Sequence, residues 1–173
     1  ACRLRWGRPR PGGRSPTEAP AVDAIPTPPG KRFVPAAPDV GMDPDFSKLD
    51  AFLSEAGVDG YLIEADGEAA DQRYLSGFTA PDPFVTLYTG ETTLLVSALE
   101  YGRATRTARA DRVERHSAYD HRANVAEYGS LEGKYRTLAA FLGAHGADSV
   151  AVPREFPVGT ADGLRSQGIS VEA

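Results

Sequence analysis

Hydrophobic and polar positions divide the chain near residue 42. Before it, Pro9, Pro11, Pro16, Pro20, Pro26, Pro28, Pro29, Pro35 and Pro38 interrupt every stretch that would otherwise form a helix or strand, and no apolar periodicity runs through the segment. Such a stretch buries too little surface to offset its ordering entropy, so residues 1–41 read as a disordered Pro/Arg-rich extension. It is a basic arm for an anionic partner, a linker, or a translated upstream region. Met42, the only methionine, stands where foldable sequence begins and reads as the biological start. Intact mass of the native protein tests this: a mass that includes residues 1–41 overturns it.

From Asp43 the pattern is periodic. Phe46, Leu49, Phe52 and Leu53 recur at helical spacing, with Asp45 or Ser47 as cap and Gly57 as stop, which predicts a helix to about Ala56. Val58–Ile63 enters a strand too apolar to face water on one side. Asp66 to Asp71 is polar; Asp71 caps a short turn carrying Arg73, Tyr74 and Leu75, and Gly77 ends it. Phe84–Tyr88 and Thr92–Val96 are strands joined at Thr89-Gly90-Glu91, an antiparallel hairpin. Leu99 to about Arg109 reads as a helix, and Arg112–Arg115 as a more exposed strand. Tyr119 to Ser130 is polar and reads as irregular. Leu131, Tyr135, Leu138 and Leu142 then mark a helix from Leu131 to Ala144, capped by Ser130 and followed by Gly146. A short strand at 149–152, a helix at 158–167 and a strand at 169–171 complete the chain. The sum is α/β: a mixed sheet of about six strands with helices on both faces.

Composition sharpens this in two places. The basic residues cluster early: residues 1–41 hold seven basic and three acidic residues. Subtracting these from the totals of 19 and 24 leaves 12 and 21, a balance of −9 for the remainder. That acidic, Lys-poor body stays hydrated, fits a salt-adapted source and does not attract nucleic acid through its general field. The single cysteine, Cys2, allows no internal disulfide, which fits a reducing, cytoplasmic setting. No apolar run approaches the ~20 residues of a membrane helix, so no membrane partner is expected.

Catalytic chemistry is sparse. His116 and His121 lie five apart, which on a helix separates them by about 140° and on a strand puts them on opposite faces. HSAYDH is therefore poor ligand spacing unless a loop folds it, with Asp120 as the residue that would complete a site. His145 falls at a helix end, where its charge would complement the dipole. There is no G-x-S-x-G elbow, no G-x-G-x-x-G and no P-loop, and the carboxylates are scattered.

One stretch carries more. Tyr74-Leu75-Ser76-Gly77-Phe78 stands between the strand Tyr61–Ile63 and the hairpin 84–96, after the helix Phe46–Ala56. This order resembles the amino-terminal domain of the creatinase, prolidase and Xaa-Pro aminopeptidase family, with its YL-[ST]-GF turn, and the resemblance covers residues 42–173. Where the family often has Asn before the turn, this chain has Ala70-Asp71-Gln72-Arg73.

The resemblance implies a ribonuclease-H-like layered fold and an accessory role in a metal-dependent Xaa-Pro peptidase. The family's catalytic pita-bread domain, with its divalent metal pair, follows this one, so no catalytic or metal-binding residue and no cofactor is carried over. The implied partner is a second copy in a homo-oligomer, or a catalytic half encoded separately. A standalone interaction module, a truncated relic, or the corresponding domain of a creatinase-type amidinohydrolase are the alternatives. Tyr74 and Phe78, four apart, are expected to share one face of the turn and pack on the sheet. Otherwise Arg73, Tyr74 and Phe78 rim the active-site entrance or the dimer contact, where arginine and aromatic residues serve as anchors.

Overall fold

A computed structural model describes residues 44–173. The readings of residues 1–41, Cys2 and Met42 lie outside these described residues.

Thirteen short elements follow one another. They are α1 (Ser47–Ala56), β1 (Gly60–Ala65), α2 (Ala70–Ser76), β2 (Phe84–Tyr88), β3 (Thr92–Val96), α3 (Ala98–Thr107), β4 (Arg112–Arg115), a 3₁₀ turn (His116–Tyr119), α4 (His121–Tyr128), α5 (Ser130–Ala144), β5 (Ser149–Ala151), α6 (Val158–Ser166) and β6 (Ser170–Glu172). The strands form one sheet in the order β4-β3-β2-β1-β5-β6. β2 runs antiparallel to both neighbours, and the remaining pairs are parallel. Five strands therefore point one way.

The side-chain period of two assigns the faces. In the β1–β2 register, Leu62 lies opposite Leu87, while Tyr61, Ile63 and Ala65 lie opposite Tyr88, Thr86 and Phe84. Leu62, Val85, Leu87 and Leu95 pack on Leu138, Phe141 and Leu142 of α5 and on Leu164 of α6. On the other face, Phe84, Leu94 and Val96 meet Phe78 and Ala104, and Tyr88 and Ala151 meet Leu53 of α1. β2 and β3 are buried along their whole length, which accounts for their unbroken apolar runs. Helices cover both faces, as the pattern of apolar runs predicts.

Three local readings need correction. Residues 119–130 are not irregular: they hold the end of the 3₁₀ turn and α4. α4 has no buried residue, so it carries no apolar stripe to read. Its place comes from α5, where a Cβ at Gly133 would lie 2.6 Å from the Val125 backbone. Asn124 also ties α4 back to the Tyr119 carbonyl at 3.2 Å and to Thr137 Oγ1 at 3.4 Å. Second, Leu131 is exposed, and the buried stripe of α5 is Thr137, Leu138, Phe141 and Leu142. Third, the expected caps differ. Ser130 lies inside α5 and Asp71 inside α2, and neither gives a side-chain cap. Asp45 does hold the Ser47 N–H, at 3.0 Å.

Candidate functional site

The aromatic turn grows out of α2. Gln72 is fully buried, and its amide donates to the carbonyls of Phe84 at 3.0 Å and Ala65 at 3.3 Å. This fastens α2 to the end of β1 and the start of β2. Gly77, at φ +59°, ends the helix in the left-handed conformation that glycine adopts without a Cβ penalty. Ser76 Oγ accepts the Phe78 N–H at 3.0 Å. The chain thus turns sharply between Tyr74 and Phe78.

That turn separates two residues expected on one face. Phe78 is 2% exposed, edge-on to Phe84 at 5.3 Å and under the Arg103 guanidinium at 4.9 Å. Tyr74 is 50% exposed and packs instead on Phe46 at 5.7 Å, with its hydroxyl donating to the Asp45 carbonyl at 2.9 Å. Arg73 is exposed beside it. The i, i+4 neighbourhood requires an unbroken helix, and Gly77 breaks it. Arg73 and Tyr74 thus stand at the surface, and Phe78 in the core.

Arg109 braces the turn, a role that nothing in its local sequence signals. Its guanidinium donates to the Tyr74 carbonyl at 3.3 Å and approaches that of Arg73 at 3.5 Å, while its N–H donates to the Ser76 carbonyl at 2.8 Å. These are the last carbonyls of α2, where a cation is favourably placed against the helix dipole.

Beside Tyr74 runs a groove of about 480 Å³ lined by Leu49, Phe52, Tyr61, Asp71, Tyr74 and Arg154 among others. Phe52 is 49% exposed there. Tyr61 donates to Asp71 at 3.4 Å. Burial, and then the Asp71 charge, pushes the Tyr61 phenol up to about 12. Burial and a hydrogen bond to Asp50 raise Tyr88 as well.

On the opposite face lies a cavity of about 320 Å³, lined by Glu64, Phe84, His116, His121, Lys134 and Thr137 among others. Lys134 and Glu64 form an ion pair at 2.5 Å. HSAYDH is folded by a turn, the one case in which its spacing can bring the two histidines together. The 3₁₀ turn and Asp120, at φ 52°, fold the segment so that the two imidazole rings lie 5.3 Å apart. Burial, and then His121, lowers His116 below the usual imidazole range. Asp120 itself is exposed. His145, at the end of α5, lies edge-on to Phe141 at 5.0 Å and 3.4 Å from Glu114.

Among the described residues, no group of three or more His, Cys, Asp or Glu side chains converges to hold a metal ion. A two-metal hydrolytic centre does not fit these residues. No helix among the described residues is long and apolar enough to cross a membrane.

The fold has known relatives. Prolidase from Pyrococcus horikoshii OT3 is 21% identical and superposes with a TM-score of 0.50, covering 72% of this chain and 30% of its own. X-Pro aminopeptidase from Thermotoga maritima MSB8 is 16% identical, with a TM-score of 0.53, over 74% and 33%. The creatinase/prolidase N-terminal domain of an X-Pro dipeptidase from Streptococcus pyogenes is 15% identical, with a TM-score of 0.51, over 76% and 93%. This chain thus spans about a third of the two longer proteins and nearly all of the isolated domain. No curated protein matches by sequence. The family model for the creatinase/prolidase N-terminal domain matches residues 46–172, which is all but the two ends of the described fold. With α1, the aromatic turn and the hairpin inside that match, the chain belongs to the creatinase/prolidase N-terminal domain family.

Proposed function

We propose that this chain acts as the accessory N-terminal domain of a metal-dependent Xaa-Pro peptidase, walling the active-site entrance and contributing to the subunit contact. The observation that carries this is the Arg73–Tyr74 turn. It presents an exposed arginine and, at the edge of an open apolar groove, a half-exposed phenol, and Arg109 holds it from behind. Arginine and tyrosine on a rigid support are the composition of an interface anchor. A residue walling an entrance needs that rigidity, because it acts through position. On this reading the divalent metal pair and the hydrolytic residues belong to a pita-bread domain, and the chain alone cleaves nothing. The active unit is a homo-oligomer, or this chain paired with a separately encoded catalytic half, and it works in the cytoplasm.

The test uses the full chain alone and mixed with a separately produced catalytic domain, assayed on an Xaa-Pro dipeptide. Activity that appears, or whose KM falls, only in the mixture supports the reading, and Arg73→Ala then raises KM or weakens the subunit contact. Hydrolysis by the chain alone overturns it, as does a mixture in which the chain changes nothing. A groove with Phe52 and Tyr74 both half exposed also suits a standalone interaction module, and a stable complex with no catalytic effect would favour that reading. Cleavage of creatine rather than a peptide by the mixture would assign the amidinohydrolase branch of the family.

A further inference from the structure

The His116–His121 pair has no part in that reading, and one of its rings is held by a hydrogen bond to Thr137. We propose that His116 and His121 form a two-imidazole binding site for a divalent transition-metal ion of the zinc class. Zinc–nitrogen bonds are about 2.0–2.1 Å, and tetrahedral coordination opens an angle of about 109° between two ligands. Adding about 1.1 Å from each ring nitrogen to its centroid places two imidazoles that share one ion about 5.1–5.2 Å apart, centre to centre. The observed separation is 5.3 Å, with the rings tilted by 44°.

Hydrogen bonding prepares His121 as a ligand. Thr137 has one hydroxyl proton, and its Oγ1 donates to the Gly133 carbonyl at 2.7 Å. The contact of 3.1 Å between Thr137 Oγ1 and His121 Nδ1 therefore has the imidazole as donor. This assignment puts the proton on Nδ1 and leaves the Nε2 lone pair free on the other side of the ring. A metal-binding histidine requires that arrangement: one nitrogen fixed by an oxygen, the other unprotonated. The Asn124 amide reaches the same hydroxyl at 3.4 Å and helps hold it.

The cavity tolerates a cation. Lys134 lines it, but the Glu64 carboxylate at 2.5 Å offsets that charge. Glu64 Oε2 is buried with no hydrogen-bond partner among the described residues, which leaves one carboxylate oxygen free to accept. With two protein ligands and no third convergent His, Cys, Asp or Glu among those residues, water fills the other positions and the ion exchanges. Imidazole ligands select zinc, copper or nickel over magnesium or calcium. Half the ligand set of a structural zinc site corresponds to a Kd on the order of 1–100 µM.

The experiment uses the full chain carrying Cys2→Ser, so that no thiol competes. Zinc ion alone is titrated at about pH 7.5 while the imidazole nitrogens of all three histidines are followed by NMR. The His116 and His121 signals should move together and saturate, while His145, held between Phe141 and Glu114, stays in place. Magnesium should move none of them. His121→Ala should weaken binding at least about tenfold. The proposal is overturned if neither ring responds to about 1 mM zinc, if all three respond alike, or if a folded His121→Ala chain binds as tightly as its parent. The NMR readout on the parent chain decides the matter even where a variant fails to fold.

Discussion

Gly77→Ala tests whether the aromatic turn is held by its backbone conformation and by Arg109 together. At φ +59° an L-residue pays about 1–2 kcal/mol for the left-handed region. Reduced freedom of the unfolded chain returns about 0.4–1 kcal/mol. The new Cβ would stand 2.6 Å from Arg109 Nε and 3.0 Å from its Cγ, so the guanidinium must leave. Its bonds to the Tyr74 and Arg73 carbonyls are exposed and long, at 3.3 and 3.5 Å, so their loss costs about 0.5–1 kcal/mol. The net expectation is destabilisation by about 1–2 kcal/mol. Urea unfolding followed by far-ultraviolet circular dichroism measures it; the only tryptophan, Trp6, lies outside the described fold and is a poor reporter. The decisive comparison is a double-mutant cycle with Arg109→Ala. Once the arginine side chain is gone, the three atoms nearest the new Cβ go with it, and Gly77→Ala should cost less by about 0.5–1 kcal/mol. Additive costs, with coupling below about 0.3 kcal/mol, would refute the brace.

Three further outcomes follow from the packing. Leu142→Ala, at a fully buried position under the sheet, should destabilise the domain by about 2–5 kcal/mol in the same assay. Lys134→Met strands Glu64, whose side chain is 13% exposed, while the lysine is 33% exposed and partly solvated. The cost should therefore be about 1–2 kcal/mol, below that of a fully buried pair, and Glu64→Gln made together with it should recover part of the loss in urea melts. Asp59 Oδ2 accepts from Ser149 Oγ at 2.7 Å and from the N–H groups of Ser149 and Asp148 at 2.9 and 3.1 Å. Those bonds, the Ser149 hydroxyl first, hold its carboxyl below the usual range. The unfolded chain then binds the proton more readily, so this contribution is present above pH 3.8 and lost as pH falls through the lower folded value. Asp59→Asn should flatten stability against pH in that acid window, and an unchanged slope there would count against it.

The middle of the sheet was legible because β2 and β3 are buried on both faces and lie next to Pro83 and Gly90. Phe84–Tyr88 and Thr92–Val96 read as a hairpin, and they are one. The short helix ending at Gly77 was legible from the same punctuation. What failed depended on contacts distant in sequence. α4 has no buried residue, so its place is explained by the close approach of Gly133 on the next helix and by the Asn124 hydrogen bonds. Leu131 fits the period of α5 but lies one turn before the helix meets the sheet, at the mouth of the cavity. Tyr74 and Phe78 have helical spacing, and one left-handed glycine sends them to different places. His116 and His121 have poor ligand spacing on a helix or a strand, and the folded segment that would bring them together is what a 3₁₀ turn followed by a residue at positive φ supplies.

The sheet topology explains why these features gather where they do. β1, β3, β4, β5 and β6 run in one direction, so the loops that follow them leave from one edge. β2 runs the other way and begins at that edge, which brings Phe84 beside Ala65. Glu64 near the end of β1 and His116 just past β4 thus share a cavity, although 51 residues separate them by number. The aromatic turn arises from α2, launched from the same end of β1, and the groove beside it is closed by Pro153 and Arg154 just beyond β5. Ligand sites in open α/β sheets collect at the carboxyl ends of parallel strands because side chains from several loops converge there without disturbing the core. Here the core faces of β2 and β3 are fully buried, with Phe78 packed on them, while Arg73, Tyr74 and the histidine pair lie outside. Replacing Arg73, which is exposed, should therefore change binding while leaving the stability from urea unfolding within about 0.5 kcal/mol of the parent. A larger shift would mean that the site is part of what holds the sheet together.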